Sequence, residues 1–341
     1  MPERCEAGKG AGRCLARIFG PCGMALALDV CFVSQTRTGQ GNQRCGVSRQ
    51  VYLHAGAHRT GTSSFQLCLA TNAEALNAAG YDLGFPRREH IPGGNLHLRL
   101  PRPKHGDAET PAFVSRVQRA LSKHVTAQNH KLILSDENLP GVILHMLKGR
   151  LYPNQGKRID VFQQALSAID GRVSHILFVI RPYDQLFISG YRKHAEDNPL
   201  SPFDHNADAM SRFTGGWPDT IETLRNLLRP DRFTVVEYGK RGPSRDLLAR
   251  LLGEPDTRFA EPERTLNASA TDAALAHLQK IYQAGQTLER SEWMRVMAEF
   301  SAQTEDRGFA RFSTDQGKRL HARYVTDLDR LAAMQGVTLI A

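Results

Sequence analysis

Apolar and polar positions alternate along this chain in two rhythms. Short apolar runs at Gln50–His54, Lys131–Ser135, His175–Ile180 and Arg232–Tyr238 read as strands buried on both faces. Between them the apolar residues recur at helical spacing. Phe65, Leu69, Ala73, Leu76 and Ala79 form one stripe, which predicts a helix over about 63–79 that Gly80 stops. Further helices are expected over about 111–128, 159–169, 183–194, 218–228, 244–252, 270–286, 291–300 and 314–334. Residues 84–111 and 198–216 have no steady period and read as loops, and 141–158 is ambiguous. Strands that alternate with helices predict an α/β fold, a parallel sheet flanked by helices. In such sheets ligands sit beyond the carboxyl ends of the strands, so residues just after each run form the first candidate site.

Composition changes the picture at the amino end. Residues 1–48 hold eight of the 29 glycines, five of the six cysteines and a net charge of +3, six basic minus three acidic. Their one apolar run, Met24–Val33, is interrupted by Asp29 and is too short to span a membrane. The expected organisation is a disordered extension over 1–48 and a single α/β domain over 49–341. The cysteine spacings form no close metal-binding pairs, no H-E-x-x-H pattern occurs, and no metal is expected. Cys68, on the helical stripe, reads as core. A folded domain with one cysteine needs no disulfide, which suits a cytoplasmic location. The net charge of +9, 44 basic against 35 acidic residues, favours anionic ligands. No Lys/Arg-rich run points to nucleic acid, and no segment is apolar enough for membrane insertion.

Candidate chemistry follows the first strand. Gly56-Ala57-His58-Arg59-Thr60-Gly61-Thr62-Ser63 is a Gly-punctuated loop that opens a helix, the order needed to cradle a phosphate on helix N–H groups. The spacing Gly56-x4-Gly61 matches the P-loop of nucleotide-binding enzymes, but Thr62 stands where that loop carries its Lys, and the basic residue is Arg59. Arg181 ends the third strand, with Ser189 eight residues later. Asp136, Glu137 and Asn138 lie just beyond the second. Arg87-Arg88 reads as a solvated turn.

In these features the chain resembles the sulfotransferases that use 3′-phosphoadenosine-5′-phosphosulfate (PAPS). Their phosphosulfate loop reads G-x-x-[KR]-[TS]-G-T-[TS], and they hold the 3′-phosphate with an Arg at a strand end and a Ser eight residues on. Weaker echoes lie at Gly80-Tyr81 through Phe85-Pro86, at Ser135–Leu139 and at Asn267-Ala268-Ser269. The resemblance implies an enzyme that moves a sulfuryl group from PAPS to a hydroxyl or amine of a carbohydrate or small-molecule acceptor. By that resemblance Arg59, Thr60, Gly61, Thr62, Ser63, Arg181 and Ser189 bind the cofactor. Arg59 also neutralises the leaving phosphate, and Glu137 is the base. His58 and His97 remain alternative bases. A P-loop kinase or other NTP-using enzyme, and a non-catalytic nucleotide-binding protein, are the rival readings.

Overall fold

The structure is a computed structural model that describes residues 48–255, 258–263 and 269–341. The expected extension over 1–48 and the echo at Asn267-Ala268 therefore lie almost wholly outside the described residues. Six strands form one all-parallel sheet: β1 (Arg49–His54), β2 (Tyr81–Gly84), β3 (Lys131–Ser135), β4 (Gly171–Ile180), β5 (Arg232–Glu237) and β6 (Thr338–Ile340). The spatial order is β2-β3-β1-β4-β5-β6. From β1 the chain goes outward to β2, returns to β3 beside β1, and then builds β4, β5 and β6 on the other side. The direction of winding reverses at β1, and that reversal opens the crevice in which parallel sheets bind ligands.

The helices are α1 (Thr62–Thr71), α2 (Ala73–Ala78), α3 (Thr110–Ser122), α4 (Gln155–Ser167), α5 (Tyr183–Ala195), α6 (Phe203–Ser211), α7 (Trp217–Leu228), α8 (Ser244–Leu252), α9 (Asp272–Gln283), α10 (Arg290–Glu299) and α11 (Thr314–Ala332). Side chains alternate across the pleat, so each strand feeds two cores. Val51, Leu53, Leu132, Leu134, Ile176 and Phe178 face a core shared with Phe113 of α3, Phe162 of α4, Leu186 of α5, Ile221 of α7 and Leu320 of α11. Tyr52, Ile133, Leu177, Val179 and Val236 face the other, built with Phe65 and Leu69 of α1, Leu76 of α2 and Leu248 of α8. Burial on both faces explains why the strands read as unbroken apolar runs. Cys68 is a core side chain whose thiol burial pushes up to about 12. No described helix is long and apolar enough to cross a membrane.

Several boundaries differ from expectation. The helix expected over 63–79 is two helices broken at Asn72, whose side-chain amide is tied to the backbone of Ala260 by bonds of 2.9 and 2.8 Å. The helix expected over 111–128 ends at Ser122. The stretch 198–216 is not a plain loop, because α6 forms within it when Phe203, Ala207 and Met210 find the core. The ambiguous stretch 141–158 holds a short 3-10 helix, Ile143–Lys148, and the start of α4. Strand β2 gives no apolar run because Asp82 and Gly84 interrupt it, and β6 is only three residues long.

Candidate functional site

Strands β1 and β3 end level, with His54 opposite Ser135, so the loops that leave them start side by side. The loop after β1 first continues along β4. Ala57 N–H donates to Val179 O and Val179 N–H to Gly56 O, both at 2.8 Å. Two glycines then allow two close approaches. Gly56 has φ +102°, and a Cβ there would come within 2.9 Å of Glu137 Cα and Cβ. Gly61 has φ +88°, and a Cβ there would collide with the Arg241 guanidinium. Both angles are ones that side-chain-bearing residues rarely adopt. The Thr60 hydroxyl donates to Ala57 O at 2.7 Å and that of Thr62 to the same oxygen at 3.4 Å. Both hydroxyl protons thus shape the loop, while the Ser63 side chain is half-buried nearby. Gly61 caps the start of α1 without a side-chain hydrogen bond, which leaves the helix's first-turn N–H groups and the positive end of its dipole facing the crevice.

Three arginines gather there. Arg59 Nε donates to Ser189 Oγ at 3.0 Å, and Arg181 Nη1 donates to Arg59 O at 2.9 Å. Arg181 and Arg241 both lie against the Tyr238 ring, 4.6 and 5.2 Å from its centroid. The Trp217 indole fixes the Arg181 backbone by donating to its carbonyl at 3.0 Å. Burial lowers both Arg59 and Arg181 below the ordinary arginine value, against the partial support of neighbouring acidic groups. Among the described residues none of the three is in an ion pair. Arg241 Nη1 is buried with no hydrogen-bond partner among the described residues.

The β3 end is wired differently. Glu137 Oε1 pairs with Arg88 Nη2, whose Nε donates to Gln66 Oε1 of α1 at 2.6 Å. Glu137 Oε2 is buried with no hydrogen-bond partner among the described residues. Burial alone would raise this carboxyl, but the Arg88 guanidinium outweighs it and holds it below the usual glutamate range. Asp136 goes the other way. Its burial and the adjacent Glu137 charge raise it to about 6, against bonds from Asn138 that favour the charged form. The Tyr152 hydroxyl lies 3.0 Å from His58 Nδ1, and Asn138 Oδ1 lies 3.2 Å from Nε2. Asn138 Nδ2 donates to Asp136 Oδ1 at 3.2 Å. With Oδ1 of Asn138 as acceptor, His58 carries its proton on Nε2 and accepts from Tyr152 on Nδ1. Burial lowers the His58 value, which keeps the ring neutral.

The fold therefore brings Arg59, Ser189, Arg181 and the Thr60–Ser63 turn together, with Glu137 against Gly56. Ser189 meets Arg59 directly, whereas Arg181 reaches the loop backbone. His58 has both nitrogens engaged. His97 is exposed and stands in the wall of a cavity that Asp136 and Asn138 also line. Arg88 is no solvated turn residue, since it bridges Glu137 and Gln66. Nothing in the sequence motifs singles out Arg241. Its one signal is that it follows β5 after the short turn Tyr238–Lys240. Among the described residues no group of three His, Cys, Asp or Glu side chains could hold a metal ion. The fold and site define a parallel α/β chain with a cationic crevice at its topological switch point. No protein-family model matches the chain, and no curated protein matches it.

Proposed function

We propose that this chain is a PAPS-dependent sulfotransferase that acts on a hydroxyl or amine of a carbohydrate or other small molecule. The observation that carries the reading is the set of three arginines, none ion-paired among the described residues, around the uncapped start of α1. A nucleotide with phosphate and sulfate groups supplies the missing negative charge. The orphaned Arg241 Nη1 is a donor awaiting an anionic oxygen, so the residues present fit such a ligand. Arg59, Arg181, Arg241 and the first amides of α1 would hold it. Arg59 would balance charge on the phosphate oxygen as its bond to sulfur breaks and the acceptor oxygen takes the sulfuryl group. Glu137, ionised and with Oε2 free, would receive the acceptor's proton.

Thermal unfolding with adenosine 3′,5′-bisphosphate, and in parallel with ATP plus magnesium, tests the reading. A ligand at about 100 times its Kd stabilises by about 2.7 kcal/mol. The bisphosphate should raise the midpoint, and Arg181→Ala or Arg241→Ala should each remove most of the shift. A shift with ATP plus magnesium alone would sink the sulfotransferase reading and support an NTP-using enzyme.

A further inference from the structure

Beside the crevice lies a second feature that the donor site does not use. A cavity of about 490 Å³ opens beyond the end of β3, within the range of small-ligand sites, about 300–1,000 Å³. Its floor is Asp136 and Asn138, and Asn138 touches the loop after β1 through His58, 3.2 Å away. Its walls carry four arginines, Arg99, Arg102, Arg116 and Arg158. Among the described residues none of the four is in an ion pair.

The four do not do the same work. Arg158 is buried and structural: its guanidinium donates to the carbonyls of Leu139 (3.1 Å), Pro101 (2.7 Å) and Asn138, and burial lowers it to about 10. It braces the loop that carries the floor. Arg99, Arg102 and Arg116 are exposed. Arg116 lies over the Phe113 ring at 5.6 Å from its centroid. Leu96, Leu98 and Phe113 give the same wall an apolar surface. Against these cations the lining has one carboxylate, Asp136. Such a cavity repels a cation and gives a neutral sugar no use for its guanidinium groups. Each guanidinium can instead hold a carboxylate or sulfate by two parallel hydrogen bonds.

We propose that this cavity is the acceptor site and that the acceptor is acidic: a hydroxylated ring compound bearing a carboxylate or sulfate, bound by Arg102 and Arg116 with its reactive group toward Asn138 and the β1 loop. This rests on the sulfotransferase reading above. It names the acceptor class for that reaction, since an acidic saccharide meets both the arginines and the apolar wall.

The test is calorimetric titration of the full chain saturated with adenosine 3′,5′-bisphosphate. Three probes are used: lactose, the unsulfated chondroitin disaccharide with one carboxylate, and its 4-sulfated form with two anionic groups. The expected order is sulfated over unsulfated over lactose, each step about tenfold or more. Arg102→Ala with Arg116→Ala should abolish that order while bisphosphate affinity stays unchanged, and Arg102→Lys with Arg116→Lys should restore part of it. Both positions are at the surface, and the ranking of the three probes on the unaltered chain stands without the variants. Equal binding of lactose and the acids, no binding of any probe, or acid binding indifferent to the double variant would each overturn the proposal. The donor reading is scored separately. If the bisphosphate binds and the acids gain nothing, only the acidic-acceptor inference falls. If the bisphosphate does not bind, the donor reading falls, and the acceptor role with it.

Discussion

Two groups of arginines stand on the same edge of the sheet and live in opposite circumstances. Arg59, Arg181 and Arg241 surround the start of α1 with no carboxylate paired to them, and one guanidinium nitrogen is buried without a partner. A few residues away, Arg88 is spent on Glu137 and Gln66, and Arg158 on three backbone carbonyls. The second group is matched from within the chain and holds the β3 end in shape. The first has no ion-pair partner among the described residues and only partial support from neighbouring acidic groups, and buried cations so placed are costly unless an anion arrives. The comparison separates residues that build the site from residues that await a ligand, although all five are arginines near the same sheet edge.

The largest effect that would sharpen this contrast is at the carboxylate between the two groups. Glu137→Gln keeps the shape and removes the base. Turnover of sulfuryl transfer should fall about 10²–10⁴-fold, the usual contribution of a general base. The Kd for adenosine 3′,5′-bisphosphate should stay within a factor of about two, because the unmatched arginines are untouched. Initial rates and equilibrium titration of the same preparation decide it. Retained turnover would remove Glu137 from the chemistry, and lost nucleotide affinity would show that the two groups act as one.

Next comes the pair Asp136 and Glu137, adjacent in sequence and shifted in opposite directions. Asp136 binds its proton more tightly in the fold, about 6 against an ordinary 3.8. The folded state then holds more protons than the unfolded chain between those values, so this group's contribution falls as pH rises from about 4 through about 6. Glu137 is lowered, so its contribution is present above the ordinary glutamate range and is lost as pH falls through its folded value. Asp136→Asn should therefore gain about 1–3 kcal/mol relative to the unaltered chain at pH 7 and much less near pH 4. Denaturant unfolding across that range measures it, and a gain independent of pH would contradict the assignment.

These neighbourhoods were unequally visible in the sequence. The central strands β1, β3, β4 and β5 announce themselves because a sheet covered on both faces demands unbroken apolar runs, such as Ile176 to Ile180. The edge strands β2 and β6 are short, and Asp82 and Gly84 break the apolar pattern of β2. Arg59, Arg181 and Glu137 could be placed at one edge because Arg181 and Glu137 sit at strand ends and Arg59 lies in the Gly-punctuated loop that leaves β1. Arg241 follows β5 only after the turn Tyr238–Lys240, within a charged stretch that reads as surface. Only the fold shows that Gly61 leaves room for its guanidinium. The solvated-turn reading of Arg88 fails for the same reason. Its partner lies 49 residues away, and nothing local marks the pairing.

Arg87 and Arg88 give the smallest and most local test, since they are neighbours that the sequence treats alike. The Arg87 side chain is exposed, and no hydrogen bond or ion pair involves it among the described residues. Arg88 keeps 29% of its side chain exposed, yet it pairs Glu137 and donates to Gln66 at 2.6 Å. Arg88→Ala leaves a buried carboxylate without its counter-charge. It should cost about 1–3 kcal/mol, below the 3–5 kcal/mol of a fully buried pair because solvent still reaches the guanidinium. Arg87→Ala should stay within about 0.5 kcal/mol, as surface substitutions do. Adding Glu137→Gln to Arg88→Ala should recover much of the loss, because the stranded charge is then gone. Equal costs at the two positions, or no recovery in the double variant, would mean that Arg88 serves the loop fold and not the carboxylate. The division between site-building and ligand-awaiting arginines would then rest on Arg158 alone.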